Sequence, residues 1–144
     1  GESPDCCEDI QKEFGGEIKL IFDPANFIMD GHESYPRAYE MLGDKIYYIH
    51  IKDATAEKII CPAGNGIGGI PEIILDLDKK RGCSCCGNQN GGIFLSVEPH
   101  LKVFKGFDEL EATGDKTIMP DNMYASNKEA FCAAVDAIKV ILAK

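Results

Sequence analysis

The stretch Lys45-Ile46-Tyr47-Tyr48-Ile49-His50-Ile51-Lys52-Asp53 decides the fold. Its apolar, β-branched and aromatic run predicts a strand buried on both faces, as in a parallel sheet with helices outside. Three ionisable side chains close the run, and α/β folds gather their ligands at the carboxyl ends of strands. His50, Lys52 and Asp53 are therefore expected at the mouth of a site rather than in a core. A single histidine there reads first as a buried, hydrogen-bonded structural residue. Two further strands that end the same way change that reading.

Upstream, Ser3 caps and Pro4 opens a helix over 4–14, with Cys7, Ile10 and Phe14 at helical spacing and Gly15-Gly16 as its stop. Residues 17–23 read as a strand ended by Pro24, followed by a loop reaching past Gly31 and His32. A helix over 34–42 has Ser34 as cap, Pro36 in its first turn and Ala38, Met41 and Leu42 as its apolar residues. Downstream, 54–60 makes a short excursion of hairpin type, and 61–69 is a glycine-rich loop. Pro71 opens a helix through Ile73, Ile74, Leu77 and Lys80 that Gly82 closes. Residues 93–98 form a third strand, stopped by Pro99 and followed by His100. A connection over 101–122, with Phe104, Phe107 and Leu110, leads to a closing helix over 124–143. The buried side of that helix is expected to carry Ala125, Phe131, Ala134, Val135, Ile138 and Ile141 or Leu142. Strands separated by helices allow right-handed crossovers, so the three strands are expected to be parallel in one α/β domain spanning 1–144.

Composition narrows the function. The chain of 144 residues is 44% hydrophobic and 27% charged, a globular balance. Its formal charge of −9 repels phosphate backbones and anionic membranes, so neither nucleic acid nor membrane is an expected partner. An acidic cleft suits a divalent cation instead. No apolar run approaches the roughly 20 residues of a membrane span, and 1–5 lacks the basic and apolar parts of a signal peptide, which points to the cytoplasm. Of the seven cysteines, Cys83, Cys85 and Cys86 make a single thiol-rich turn, which is not the paired arrangement of a structural zinc site. Free thiols are expected.

Each predicted strand delivers an ionisable group at its carboxyl end: Asp23, His50 and Glu98. Two carboxylates and an imidazole on neighbouring parallel strands can meet at one ion, with Mn²⁺ the first expectation and Mg²⁺, Co²⁺ or Zn²⁺ also suited. The plainer alternative has Asp23 capping a loop, His50 buried and Glu98 in solvent. A cation so held is an electrophile for sugar chemistry: it stabilises the enediolate formed when a carboxylate removes a proton beside a carbonyl. Glu98 is then both ligand and catalytic base.

These residues also carry a resemblance. Ile21-Phe22-Asp23-Pro24-Ala25-Asn26-Phe27, Tyr48-Ile49-His50-Ile51-Lys52-Asp53, Pro62-Ala63-Gly64-Asn65-Gly66 and Leu95-Ser96-Val97-Glu98-Pro99-His100 follow one another in this order. Together they resemble the last part of a sugar phosphate isomerase/epimerase of the xylose-isomerase-like TIM-barrel superfamily. The resemblance implies strands six to eight of such a barrel, and a metal held by a glutamate on strand five, an aspartate on six, a histidine on seven and a glutamate on eight. The last three fall on Asp23, His50 and Glu98. No strand precedes the first helix, so the strand-five glutamate, one of two acid/base carboxylates, has no counterpart here. The chain thus reads as a C-terminal portion, with roughly five of eight strands supplied elsewhere. Its expected partners are a small sugar or sugar phosphate and either the missing N-terminal barrel portion or further copies of itself. Alone it is expected to be inactive. Where the epimerase branch often has a second histidine after the aspartate, this chain has Asn26.

Lys52 and His100 are weaker candidates for substrate contact. Lys52 shares a strand face with His50, and a salt bridge to a nearby acid explains it equally well. Gly64-Asn65-Gly66-Ile67-Gly68-Gly69 satisfies G-x-G-x-x-G, but no strong strand immediately precedes it, which favours a flexible loop beside the mouth over a dinucleotide site. Two other functions compete: a metal-dependent phosphodiester hydrolase like the apurinic endonucleases of the same superfamily, and a non-catalytic assembly fragment. The former resembles sites with more histidines than the three in this chain.

Overall fold

The computed structural model describes residues 3–81, 93–103 and 122–143. Ser3 Oγ accepts the Cys6 amide and Pro4 takes the first helical position, so the chain opens on α1, Pro4–Glu13. The face of α1 differs from the expectation: Ile10 and Phe14 are exposed, while Pro4 and Gln11 are buried. The Gln11 side-chain amide donates to the Ile18 carbonyl, which turns that side of the helix inward.

Strand β1, Leu20–Phe22, is shorter than the predicted 17–23 and runs into helix α2, Pro24–Met29, where a loop was expected. Asp23 is extended and its Oδ1 accepts the Asn26 amide at 3.0 Å, while Pro24 has its φ preset for helix. A cap followed by proline therefore nucleates α2, which buries Ala25, Phe27 and Ile28.

The predicted helix over 34–42 is a π-type turn, Ser34–Ala38, leading into α3, Tyr39–Leu42. Ser34 does not cap it. Proline disfavours helical backbone in the residue before it, and Tyr35 is accordingly extended at φ −131 and ψ 134. The buried Ser34 hydroxyl instead donates to the Gly68 carbonyl at 3.2 Å.

A 3₁₀ turn, Gly43–Lys45, feeds strand β2, Ile46–Ile51. Short strands β3, Asp53–Ala54, and β4, Ile60–Cys61, pair antiparallel as the expected hairpin. Helix α4, Ile70–Arg81, buries Ile73, Ile74 and Leu77, and strand β5 is Phe94–Val97. Strands β6, Lys102–Val103, and β7, Met123–Tyr124, form a parallel pair not anticipated from sequence. Helix α5, Asn127–Leu142, starts after Ser126, whose hydroxyl accepts the Glu129 amide. Ala130, Ala134 and Ile138 form its buried side, and of Ile141 or Leu142 it is Ile141 that packs on the core, whereas Ala125 and Phe131 are exposed, contrary to expectation. Ala130 and Ala134 pack with Leu101 and Val103 beside the β6–β7 pair, and Ile138 packs in the core of the sheet, which together fix the rotation of the helix. Gly82, the Cys83, Cys85 and Cys86 turn, and Phe104, Phe107 and Leu110 lie outside the described residues.

The protein is thus of mixed α/β class, with a parallel three-stranded sheet in the order β1-β2-β5. The sheet is small and not closed among the described residues. Its register makes two kinds of row. Phe22, Ile49 and Leu95 lie side by side, and Ile51 pairs with Val97; this face packs on Ala38, Tyr39 and Leu42 before β2, on α4, and on Ile138. The opposite face carries Ile21, Tyr48 and Phe94 in one row and His50 beside Ser96 in the next. Ile21 is 51% and Phe94 66% exposed. The expectation that 45–53 is buried on both faces therefore fails: the helices cover one side of the sheet, and Tyr48 and His50 stand half-buried on the other. Among the described residues no helix is long and apolar enough to cross a membrane.

Candidate metal centre

Asp23 follows the last residue of β1, His50 is the fifth residue of β2, and Glu98 follows β5. The ladder extends just far enough to hold the last of these, because the Glu98 amide donates to the Ile51 carbonyl at 3.3 Å. Parallel strands in register bring all three side chains to one end of the sheet. One ligand atom from each lies within 4.8 Å of the other two.

The imidazole stands at the centre. His50 Nδ1 is 3.3 Å from Asp23 Oδ2 and 3.3 Å from Glu98 Oε2. His50 Nε2 is 3.1 Å from the Tyr48 hydroxyl. The two oxygens of Asp23 have separate roles: Oδ1 caps α2, and Oδ2 faces the site. Lys52 Nζ also reaches Oδ2, at 2.8 Å, and donates to Asn26 Oδ1 at 2.9 Å. Exposure rises from the Asp23 side chain at 8% through His50 at 19% to Glu98 at 34%. Glu98 is therefore the carboxylate a molecule from solvent would meet first.

This donor set fits a divalent cation. Its atoms are carboxylate oxygen and imidazole nitrogen, and bonds of about 2.0–2.2 Å place neighbouring ligand atoms about 3 Å apart, close to the 3.3 Å between His50 Nδ1 and each carboxylate. Two carboxylates against one ammonium leave the cluster negative while the imidazole is neutral.

Of the other sequence candidates, Lys52 borders the cluster and the rest fall elsewhere. Lys52 is buried and held by Asp23 and Asn26 rather than presented to solvent. His100 is exposed, has left-handed backbone at φ 41, and is not one of the three clustered groups. Asp53, expected at the mouth with His50 and Lys52, is wholly buried. Its carboxylate accepts the amides of Ala54, Gly64, Gly66 and Gly68. This corrects the reading of the glycine-rich loop. The amides that a phosphate-binding loop would offer are already committed to an internal carboxylate, so the loop is anchored rather than flexible. Glycine is required for that approach: a Cβ on Gly68 would stand 2.6 Å from Asp53 Oδ1.

Sequence reasoning missed Tyr48, Asn26 and the true role of Asp53. Strand alternation places Tyr48 on the face of His50, and that signal was available. Asn26 sits three residues after a capping aspartate, but its reach to Lys52 depends on how α2 turns back across the strand ends. Ser96, beside His50 in the register, has a buried hydroxyl with no hydrogen-bond partner among the described residues. Comparison with protein-family models, with curated proteins and with solved structures finds no match.

Proposed function

We propose that Asp23, His50 and Glu98 hold a divalent cation, with Mn²⁺ the first choice, and that the chain serves a sugar or sugar phosphate isomerase or epimerase. The observation that carries this reading is the convergence of the three strand-end groups within 4.8 Å. The cation, when bound, supplies Lewis-acid stabilisation of negative charge developing on substrate oxygens. Glu98, the most exposed of the three, is the group placed to take a proton from a carbon beside a carbonyl. Asp23 is oriented by Lys52 and by its cap on α2.

In this reading the parallel β1-β2-β5 sheet is strands six to eight of a TIM barrel of the xylose-isomerase-like type. The uncovered row of Ile21, Tyr48 and Phe94 supports it, because side chains on that face would fill a barrel interior. Partner strands, from an N-terminal barrel portion or from further copies of this chain, would cover the row; of the two, only the N-terminal portion would supply the second acid/base carboxylate. The same exposed row equally favours a non-catalytic assembly fragment.

Calorimetric titration with Mn²⁺ tests the centre. Wild-type protein is expected to bind, and Asp23→Ala, His50→Ala and Glu98→Ala are each expected to weaken binding at least tenfold; a wild-type chain that ignores Mn²⁺ removes the reading. Deuterium uptake from D₂O beside the carbonyl, followed over a panel of ketoses and their phosphates, separates isomerase from assembly fragment. Exchange is expected only when partner strands carrying the second acid/base carboxylate are supplied, and its absence then leaves the assembly role.

A further inference from the structure

His50 offers two ring nitrogens, and the structure gives them different neighbours. Nδ1 faces Asp23 Oδ2 and Glu98 Oε2, each at 3.3 Å, whereas Nε2 faces the Tyr48 hydroxyl at 3.1 Å. Tyr48 precedes His50 by two residues on β2, so alternation sets both on the uncovered face. The two rings lie 5.2 Å apart, and Phe94 meets the far side of the pair edge-on to Tyr48 at 5.9 Å. The phenol is thus held by packing in the place where its hydroxyl meets Nε2.

We propose that Tyr48 is a positioning residue that fixes the ring orientation of His50, so that Nδ1 is the atom offered to the cation. This inference rests on the cation reading of the Asp23, His50 and Glu98 cluster. The chemistry of the hydroxyl carries it. An imidazole that gives one nitrogen to a cation must bear its proton on the other, and a partner at that second nitrogen holds the ring so that the first faces the ion. Without a cation, Nδ1–H can donate to the carboxylates and Nε2 must then accept. A phenol hydroxyl serves both states, because it donates to a bare Nε2 and accepts from Nε2–H. A carboxylate or a carbonyl in its place could only accept.

Tyr48→Phe removes the hydroxyl and keeps the ring, and Tyr48→Leu removes both. Mn²⁺ affinity by calorimetry is expected to fall about tenfold or more in both variants, as when the outer partner of a ligating histidine is lost. A packing role would instead leave Tyr48→Phe at wild-type affinity and harm only Tyr48→Leu. The second readout is the ¹⁵N spectrum of His50 in the Zn²⁺-loaded, full-length protein. Wild type is expected to show Nδ1 ligated and the proton on Nε2, and Tyr48→Phe to show a mixture of ligated nitrogens. Tyr48→Phe with wild-type Mn²⁺ affinity and an unchanged His50 spectrum overturns the proposal while leaving the cation site standing. A wild-type chain that binds neither ion removes the cation site, and this proposal with it.

Discussion

The ammonium of Lys52 lies 2.8 Å from Oδ2 of Asp23, and the two side chains are only 7% and 8% exposed. A buried pair of this kind does not by itself make a fold stable, since both ions lose water, but breaking it leaves one charge buried alone. Lys52→Met is therefore expected to destabilise the chain by about 3–5 kcal/mol, read from the midpoint of urea unfolding. Added Mn²⁺ is expected to recover more of that loss in Lys52→Met than it adds to wild type, because the cation then faces both carboxylates without a competing ammonium. A Lys52→Met chain as stable as wild type without Mn²⁺ contradicts this account.

Asp53 holds the loop before α4 as an internal anion. Asp53→Ala strands the amides of Gly64, Gly66 and Gly68, and unfolding midpoints are expected to report a loss of about 3–5 kcal/mol at roughly 1–3 kcal/mol per unsatisfied group, part of it relieved by water entry. Limited proteolysis is expected to cut within 62–69 in the variant and not in wild type. Gly68→Ala, which drives a methyl against the Asp53 carboxylate, is expected to act in the same direction. Equal protease resistance in Asp53→Ala and wild type contradicts the anchoring.

Burial, with a smaller contribution from the Asp53 charge, pushes the Cys61 thiol up to about 12. Native protein treated with iodoacetamide near pH 8 is expected to be labelled at the exposed Cys6 and Cys132 and not at Cys61 until denaturant is added. The sign of the linkage follows. Folding favours the protonated thiol, so this contribution is whole below the unfolded value near 8.5–9 and is lost as pH rises from there toward about 12. Cys61→Ala is expected to flatten that alkaline decline, and peptide mapping that finds Cys61 labelled as fast as Cys6 argues against it.

Asp76 accepts hydrogen bonds from Lys80 at 2.8 Å and from Tyr39 at 2.7 Å, and both hold its carboxyl below the usual range. A depressed carboxyl adds stability above its unfolded value near 4 and loses it as pH falls through the folded value. The difference in stability between wild type and Asp76→Asn is expected to be about 1 kcal/mol or less near neutrality, screened by water, and to vanish as pH falls through the folded value. A pH-independent difference would show that packing rather than charge is lost.

Much of this architecture was legible without coordinates because the signals are local. The cap at Ser3, the prolines at 4 and 24, and the β-branched runs around Ile49 and Leu95 act within a few residues of themselves. Local signals also misled where two applied at once. Asp23-Pro24 ends a strand and starts a helix, and only the first meaning was taken; Ser34 has the residue type of a cap, but Pro36 keeps Tyr35 out of the helix. Phe131 has helical spacing, yet spacing cannot say toward which neighbour a helix is rotated.

By itself, the sequence determined the alternation of helices and strands and the placement of Asp23, His50 and Glu98 at three strand ends, since periodicity and capping follow from chain geometry over a few residues. Tertiary structure decided the rest: the register that brings those groups together, the Tyr48 hydroxyl on Nε2 of His50, the burial of Lys52 against Asp23, and the inward turn of Asp53. Each of these sets residues from separate parts of the chain, or the two faces of one strand, against neighbours a few ångströms away. Such contacts depend on how strands align and which face the helices cover, quantities that no short stretch of sequence contains.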